Sequence, residues 1–141
     1  MTGDDLIHLA GHLIANTALG DPEARYRSAV SRAYYGAFHL ASAFLADCGA
    51  RILSNHTGHV QAARILQANG HPDVVEASRL LDDLRSARNE ADYNLQKKRL
   101  ASRASAQADV EMAADLQICL ARCRKEPAFS QIKATIGMNR P

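Results

Sequence analysis

The run from Pro22 to Cys48 limits what this chain can fold into more than any other stretch. Asp21 and Pro22 form a helix start signal, and Gly49 supplies the stop. Between them Tyr26, Ala29, Val30, Ala33, Tyr34, Ala37, Leu40, Ala41, Phe44 and Leu45 recur at three- and four-residue steps. That spacing predicts one long helix with a wide apolar face. Ala33, Gly36, Ala37 and Ala41 lack bulk, so another helix can approach closely. This is the central helix of a bundle. Its opposite face carries Arg25, Ser28, Arg32, Tyr35 and His39 at the same spacing. Such a mixture suits either plain surface or one wall of a protein or ligand interface.

The remaining chain supplies the partners. A first helix starts at Thr2, with Asp5 in the capping-box position and a stripe of Leu6, Ile7, Ala10, Leu13 and Ile14. After a loop over 49–56, whose Ile52 and Leu53 are expected to tuck against the bundle, His56-Thr57-Gly58-His59 opens a third helix ending near Asn69-Gly70. His71-Pro72-Asp73 starts a fourth, which runs to about Asp92 along Ala77, Leu80, Leu81, Leu84, Ala87 and Ala91. Tyr93 to Arg103 breaks the pattern and reads as a flexible connection. A fifth helix carries Ala108, Met112, Leu116, Cys119, Leu120 and Cys123 on one face, and Pro127 ends it. Phe129, Ile132 and Ile136 give the tail a short docking helix. With 141 residues, 47% apolar, the expectation is one all-α domain over 1–141. It is an antiparallel bundle of four to five helices, with a core over about 5–125 and a tail over 126–141.

A formal charge of +2 does not by itself mark a nucleic-acid binder. Basic residues gather at Lys97-Lys98-Arg99 with Arg103, and at Arg122, Arg124 and Lys125. Cys48, Cys119 and Cys123 are an odd count without framework spacing, and read as small buried hydrophobes in a reduced, cytoplasmic protein. No apolar run approaches the ~18 residues of a membrane span. The pairs His8/His12 and His56/His59 lack a third ligand at a metal-binding spacing, so no metal and no cofactor are expected.

Leu84 to Tyr93 poses a separate question. Arg88 falls four residues after Leu84 and seven after Leu81, at the edge of the core-facing stripe. A guanidinium has five donors and does not shed its proton to escape burial, so something anionic must meet it. Asp92 one turn on, a partner chain and a phosphate are the three options.

Two segments together carry a family resemblance. Arg27-Ser28-Ala29-Val30-Ser31-Arg32-Ala33-Tyr34-Tyr35-Gly36-Ala37-Phe38-His39 resembles the second helix of small HEPN-domain proteins. Leu84-Arg85-Ser86-Ala87-Arg88-Asn89-Glu90-Ala91-Asp92-Tyr93 resembles their signature region. His56-Thr57-Gly58-His59-Val60 lies where that family often opens a helix with histidine. The resemblance implies a homodimeric helical bundle that binds RNA or a nucleotide, commonly a toxin encoded beside a nucleotidyltransferase-type antitoxin. Many members are metal-independent ribonucleases using an arginine, then a histidine four to six residues later, paired across the dimer.

In such a reaction a histidine moves protons and an arginine holds the charge developing on the phosphate. Here Arg88 and Asn89 match the pattern, while Tyr93 stands where the histidine belongs. A phenol, with a pKa near ~10, is a poor base at neutral pH. The role then falls to His39 or His56, or the protein does not cleave. The catalytic candidates are therefore Arg88, Asn89, Tyr93 and His39, and the binding candidates Arg32, Tyr35, Arg85, Asp92 and His56. The leading function is an RNA- or nucleotide-binding toxin component. The alternative is a non-catalytic dimeric module that holds a nucleotidyltransferase.

Overall fold

Helices here begin where a side chain can accept a free backbone N–H. The computed structural model describes residues 1–138, in which the helices are α1 (Gly3–Ala15), α2 (Pro22–Asp47), α3 (His56–Asn69), α4 (Pro72–Tyr93), α5 (Arg103–Cys123) and α6 (Ala128–Met138). Thr2 and Asp5 form the expected capping box, and Asp21, Asn55, His71 and Ser102 cap the next four helices. No strand occurs among the described residues, so the fold is all-α, as expected. No helix is long and apolar enough to cross a membrane among those residues.

Helix α2 lies against α1, α4 and α5, and its Ala29, Val30, Ala33, Tyr34, Ala37, Ala41, Phe44 and Leu45 are buried. The close approach expected from its small residues occurs against α1. A Cβ added at Gly36 would stand 2.7 Å from the Gly3 carbonyl oxygen and 2.7 Å from Ile7 Cγ1. Helix α3 packs on α4, and α6 docks through Ile132 and Ile136, with Phe129 edge-on to Phe44 at 6.1 Å. All three cysteines are free and buried, and burial pushes their thiols up from the ordinary value.

Three local readings need correction. Arg25 is not on an outer face: it is buried, and its Nη1 donates to the carbonyls of Leu13, Ile14 and Asn16 at 2.9–3.1 Å. Those groups end α1 without helical partners, so the cation goes to them rather than to water. Leu53 is 53% exposed, and of the two residues expected to tuck in only Ile52 is half-buried. The stretch after Tyr93 is anchored by Leu100, which is wholly buried in a short 3-10 turn, Arg99–Ala101. Arg99 there bridges Glu90 at 2.9 Å and Asp109 at 2.8 Å.

Arg27 repeats the Arg25 device on the other side of α2. Its Nη1 donates to the carbonyls of Glu90, Ala91 and Asn94 at 3.0–3.3 Å, and Nη2 to that of Lys97. One turn of α2 thus caps the C-termini of both α1 and α4. This sets where the last two turns of α4 meet the middle of α2.

Candidate functional site

That meeting point is lined by rings. Arg88 projects from α4 toward α2, with its Cζ 5.4 Å from the Tyr34 ring centre, 5.5 Å from that of Tyr35 and 5.7 Å from that of Tyr93. Its Nη1 lies 3.5 Å from the Tyr93 hydroxyl, and its Nε is buried without a partner. The Arg88–Asp92 pair allowed by their spacing does not form. Asp92 instead accepts a hydrogen bond from Ser31 at 3.2 Å, across the α2–α4 contact. Aromatic faces attract the guanidinium by their quadrupoles, which holds it in place without neutralising it.

Two further cations flank it. Arg85 Nη2 meets His56 Nδ1 at 3.1 Å, and its Nε is buried and unpartnered. Arg32 also lies over Tyr35, with Cζ 5.3 Å from the ring centre. Among the described residues, none of Arg32, Arg85 and Arg88 is in an ion pair. Glu23, Glu76, Asp83, Glu90 and Asp109, by contrast, are held by arginines or a lysine elsewhere on the bundle. The low net charge therefore conceals a local cluster of arginines outside any ion pair.

The structure adds a residue that sequence reasoning left out of the site. His59, from the first turn of α3, stacks on Phe38 with ring centres 4.0 Å apart and planes 18° apart. Its Nδ1 is hydrogen-bonded to the hydroxyl of Tyr34. Tyr34 is wholly buried, and burial pushes its phenol up to about 12. His59 is held below the ordinary imidazole value, first by burial and then by Arg85, Arg88, His56 and His39. Both effects favour the neutral forms. The signal was present in the sequence as His56 and His59 one turn apart at a helix start. Which of the two turns inward depends on the helix packing.

The other expected site residues lie as follows. Tyr93 is 76% exposed at the end of α4, and Asn89 and His56 are exposed as well. His39 is exposed on α2 and borders a cleft formed with Thr2, Gly3 and Leu6 at the start of α1. It is not gathered around Arg88, although it belongs to the charged surroundings of His59.

One group among the described residues could hold a metal: His71, Asp73 and Cys123, whose ligand atoms lie within 4.8 Å of one another. It sits at the start of α4, about 22 Å along the helix from Arg88. Its members are already engaged. Asp73 pairs with Arg122 at 3.1 Å, His71 Nδ1 accepts the Asp73 N–H, and burial pushes the Cys123 thiol up to about 12.

Chemically, the Arg88 cluster can take an anion with attached rings. The guanidinium fork fits a phosphate, and exposed tyrosine faces can stack on bases. Among known families, the HEPN domain matches residues 15–116. Neither the curated proteins nor the solved structures return a significant match. The family match covers all of α2, α3 and α4 and the first part of α5, and with them every side chain gathered around Arg88. The chain belongs to the HEPN-domain family.

Proposed function

We propose that this HEPN protein binds RNA at the Arg88 cluster and serves as the RNA-cleaving component of a toxin–antitoxin or defence pair, without a metal. The observation that carries the reading is the half-buried guanidinium of Arg88, walled by three tyrosine rings and met by no carboxylate. A cation so placed is complete only when an anion arrives, and a sugar–phosphate strand brings stacking bases with it. The test is titration of a labelled single-stranded RNA with wild type and Arg88→Ala. Each charge-assisted hydrogen bond contributes about 1.5–3 kcal/mol, so the variant should bind at least about tenfold more weakly. Equal affinity of the two proteins would remove Arg88 from the site and the reading with it.

The exposed Tyr93 hydroxyl favours a second reading. There the protein is a non-catalytic module and Tyr93 a hydroxyl that a nucleotidyltransferase partner modifies. The two readings divide on whether purified wild type cleaves RNA.

Assembly is part of the proposal. Arg32, Tyr35 and His39 on α2, with Tyr93 at the end of α4, are half-buried or exposed amphipathic side chains. Interfaces are enriched in such arginines and tyrosines. Light scattering at tens of micromolar should therefore give the mass of a dimer, and a monomer would refute a two-fold interface through these side chains.

A further inference from the structure

We propose, resting on the RNA-binding reading above, that His59 is the proton acceptor of this site. In this role Tyr34 fixes its tautomer, so that Nε2 meets the ribose 2′-hydroxyl of a strand whose phosphate Arg88 holds. Among the histidines of this region, His59 alone is held on both its ring face and its edge. Phe38 covers the face at 4.0 Å, and the Tyr34 hydroxyl engages Nδ1. His56 is exposed and engages Arg85 through Nδ1, while His39 is exposed and makes no hydrogen bond among the described residues. A general base must be oriented by a third group before its free nitrogen can serve. Arg85 can only donate to His56 Nδ1, which puts the proton of that ring on Nε2, so of the two oriented rings only His59 can keep a lone pair on Nε2.

Tyr34 also ties the base to the anion site, because Arg88 lies over the same phenol ring, 5.4 Å from its centre. The ring is thus a shared wall between a proton acceptor on α3 and a charge-holding group on α4. Tyr34 keeps its own proton at neutral pH, since burial pushes it up to about 12. A neutral phenol can accept from Nδ1–H, which leaves the lone pair on Nε2.

The step balances without a co-reactant. The ribose 2′-oxygen attacks the adjacent phosphorus and its proton passes to His59 Nε2. The bond from phosphorus to the 5′-oxygen breaks, and the departing oxygen takes a proton from water. The imidazolium then returns its proton to solvent. The products are a 2′,3′-cyclic phosphate and a 5′-hydroxyl.

The surroundings predict how this base behaves. From α2 it faces Tyr34, Tyr35, Phe38 and His39, from α4 Arg85 and Arg88, and from its own helix His56. None of these is an acid. Burial and the two arginines oppose the imidazolium and hold His59 below the ordinary imidazole value. A base is active when deprotonated. Cleavage should therefore rise with pH through that lowered value and be level by neutral pH. A phosphate on Arg88 offsets part of the positive field, so the bound complex should titrate higher than the free protein.

The experiment uses a labelled mixed-sequence single-stranded RNA and the same strand with 2′-deoxy sugars, on the full chain with EDTA present. Wild type should bind both strands, cut only the first, and leave a cyclic phosphate. His59→Gln should bind the deoxy strand as wild type does, yet cut the RNA at least about 100-fold more slowly, as expected for losing a general base. Tyr34→Phe keeps the ring and removes only the hydroxyl, so it should lower the rate and displace the pH profile while binding survives. Thermal melting of each variant shows that the fold is retained. If His59→Gln cuts at the wild-type rate, or Tyr34→Phe leaves both rate and pH profile unchanged, the assignment is wrong. Wild type that binds the RNA and leaves it intact also overturns the assignment, while the RNA-binding reading stands. Wild type that binds neither strand overturns the RNA-binding reading itself.

Discussion

Arg27→Ala is expected to lower folding stability by about 3–5 kcal/mol, the range for stripping one partner from a buried charged network. The residue is 6% exposed, and its side chain donates to four carbonyls at and beyond the end of α4, with its Nε on Glu23 at 2.9 Å. Truncation leaves the Ala91 and Lys97 carbonyls without a donor, while those of Glu90 and Asn94 keep the backbone N–H of Asn94 and Lys97. Glu23 would retain only Lys98, at 3.4 Å. Arg27→Lys should recover little, because one ammonium cannot reproduce a planar fork spread over several acceptors. Denaturant midpoints at constant m-value measure the loss. A change below about 1 kcal/mol would mean that water replaces the guanidinium, and that the α4 end needs no tie to α2.

Gly36→Leu should cost about 3 kcal/mol, the upper part of the range for forcing bulk into a packed contact. The first added carbon would already meet main chain, the Gly3 carbonyl oxygen at 2.7 Å, before any of the isobutyl group is placed. Backbone cannot swing aside as a long side chain can, so α1 must lift from α2. Gly11 provides the opposite case on the same helix as Gly3. A Cβ there meets nothing within 4 Å, so Gly11→Ala should stabilise by about 0.5–1 kcal/mol through helix propensity alone. Thermal melts of the two variants should move in opposite directions, and a shared direction would contradict the close α1–α2 crossing.

The elements were legible because their signals are local. Asp21-Pro22, His71-Pro72 and the Thr2–Asp5 box act within one turn, and the periodicity of Leu80, Leu81 and Leu84 reports a buried face whatever lies opposite. What could not be read depends on groups distant in the chain. Arg25 has the spacing of an outer-face residue, yet it turns to the carbonyls that end α1, which are in reach only once that helix is placed. Asp92 sits at salt-bridge spacing from Arg88, but the Ser31 hydroxyl comes from 61 residues away. His59 and His56 look alike in sequence, and α3 must dock before Phe38 and Tyr34 select one of them. Arg88 itself stood out because a cation at the margin of an apolar stripe raises a question wherever it occurs. That its neighbours would be three tyrosine rings followed only from the α2–α4 crossing.

The arginine caps set the frame and the site apart in how each answers to ionic strength. Arg25 is tied to carbonyl dipoles, and so is Arg27 apart from its Glu23 contact. Dipoles at buried helix ends do not titrate and are scarcely screened by dissolved ions. Arg32, Arg85 and Arg88 have no such partners, and the hold on a phosphate proposed for them would weaken as counterions compete for it. A salt titration of RNA binding would therefore report the number of phosphates engaged, while the scaffold that aims those arginines stays where it is.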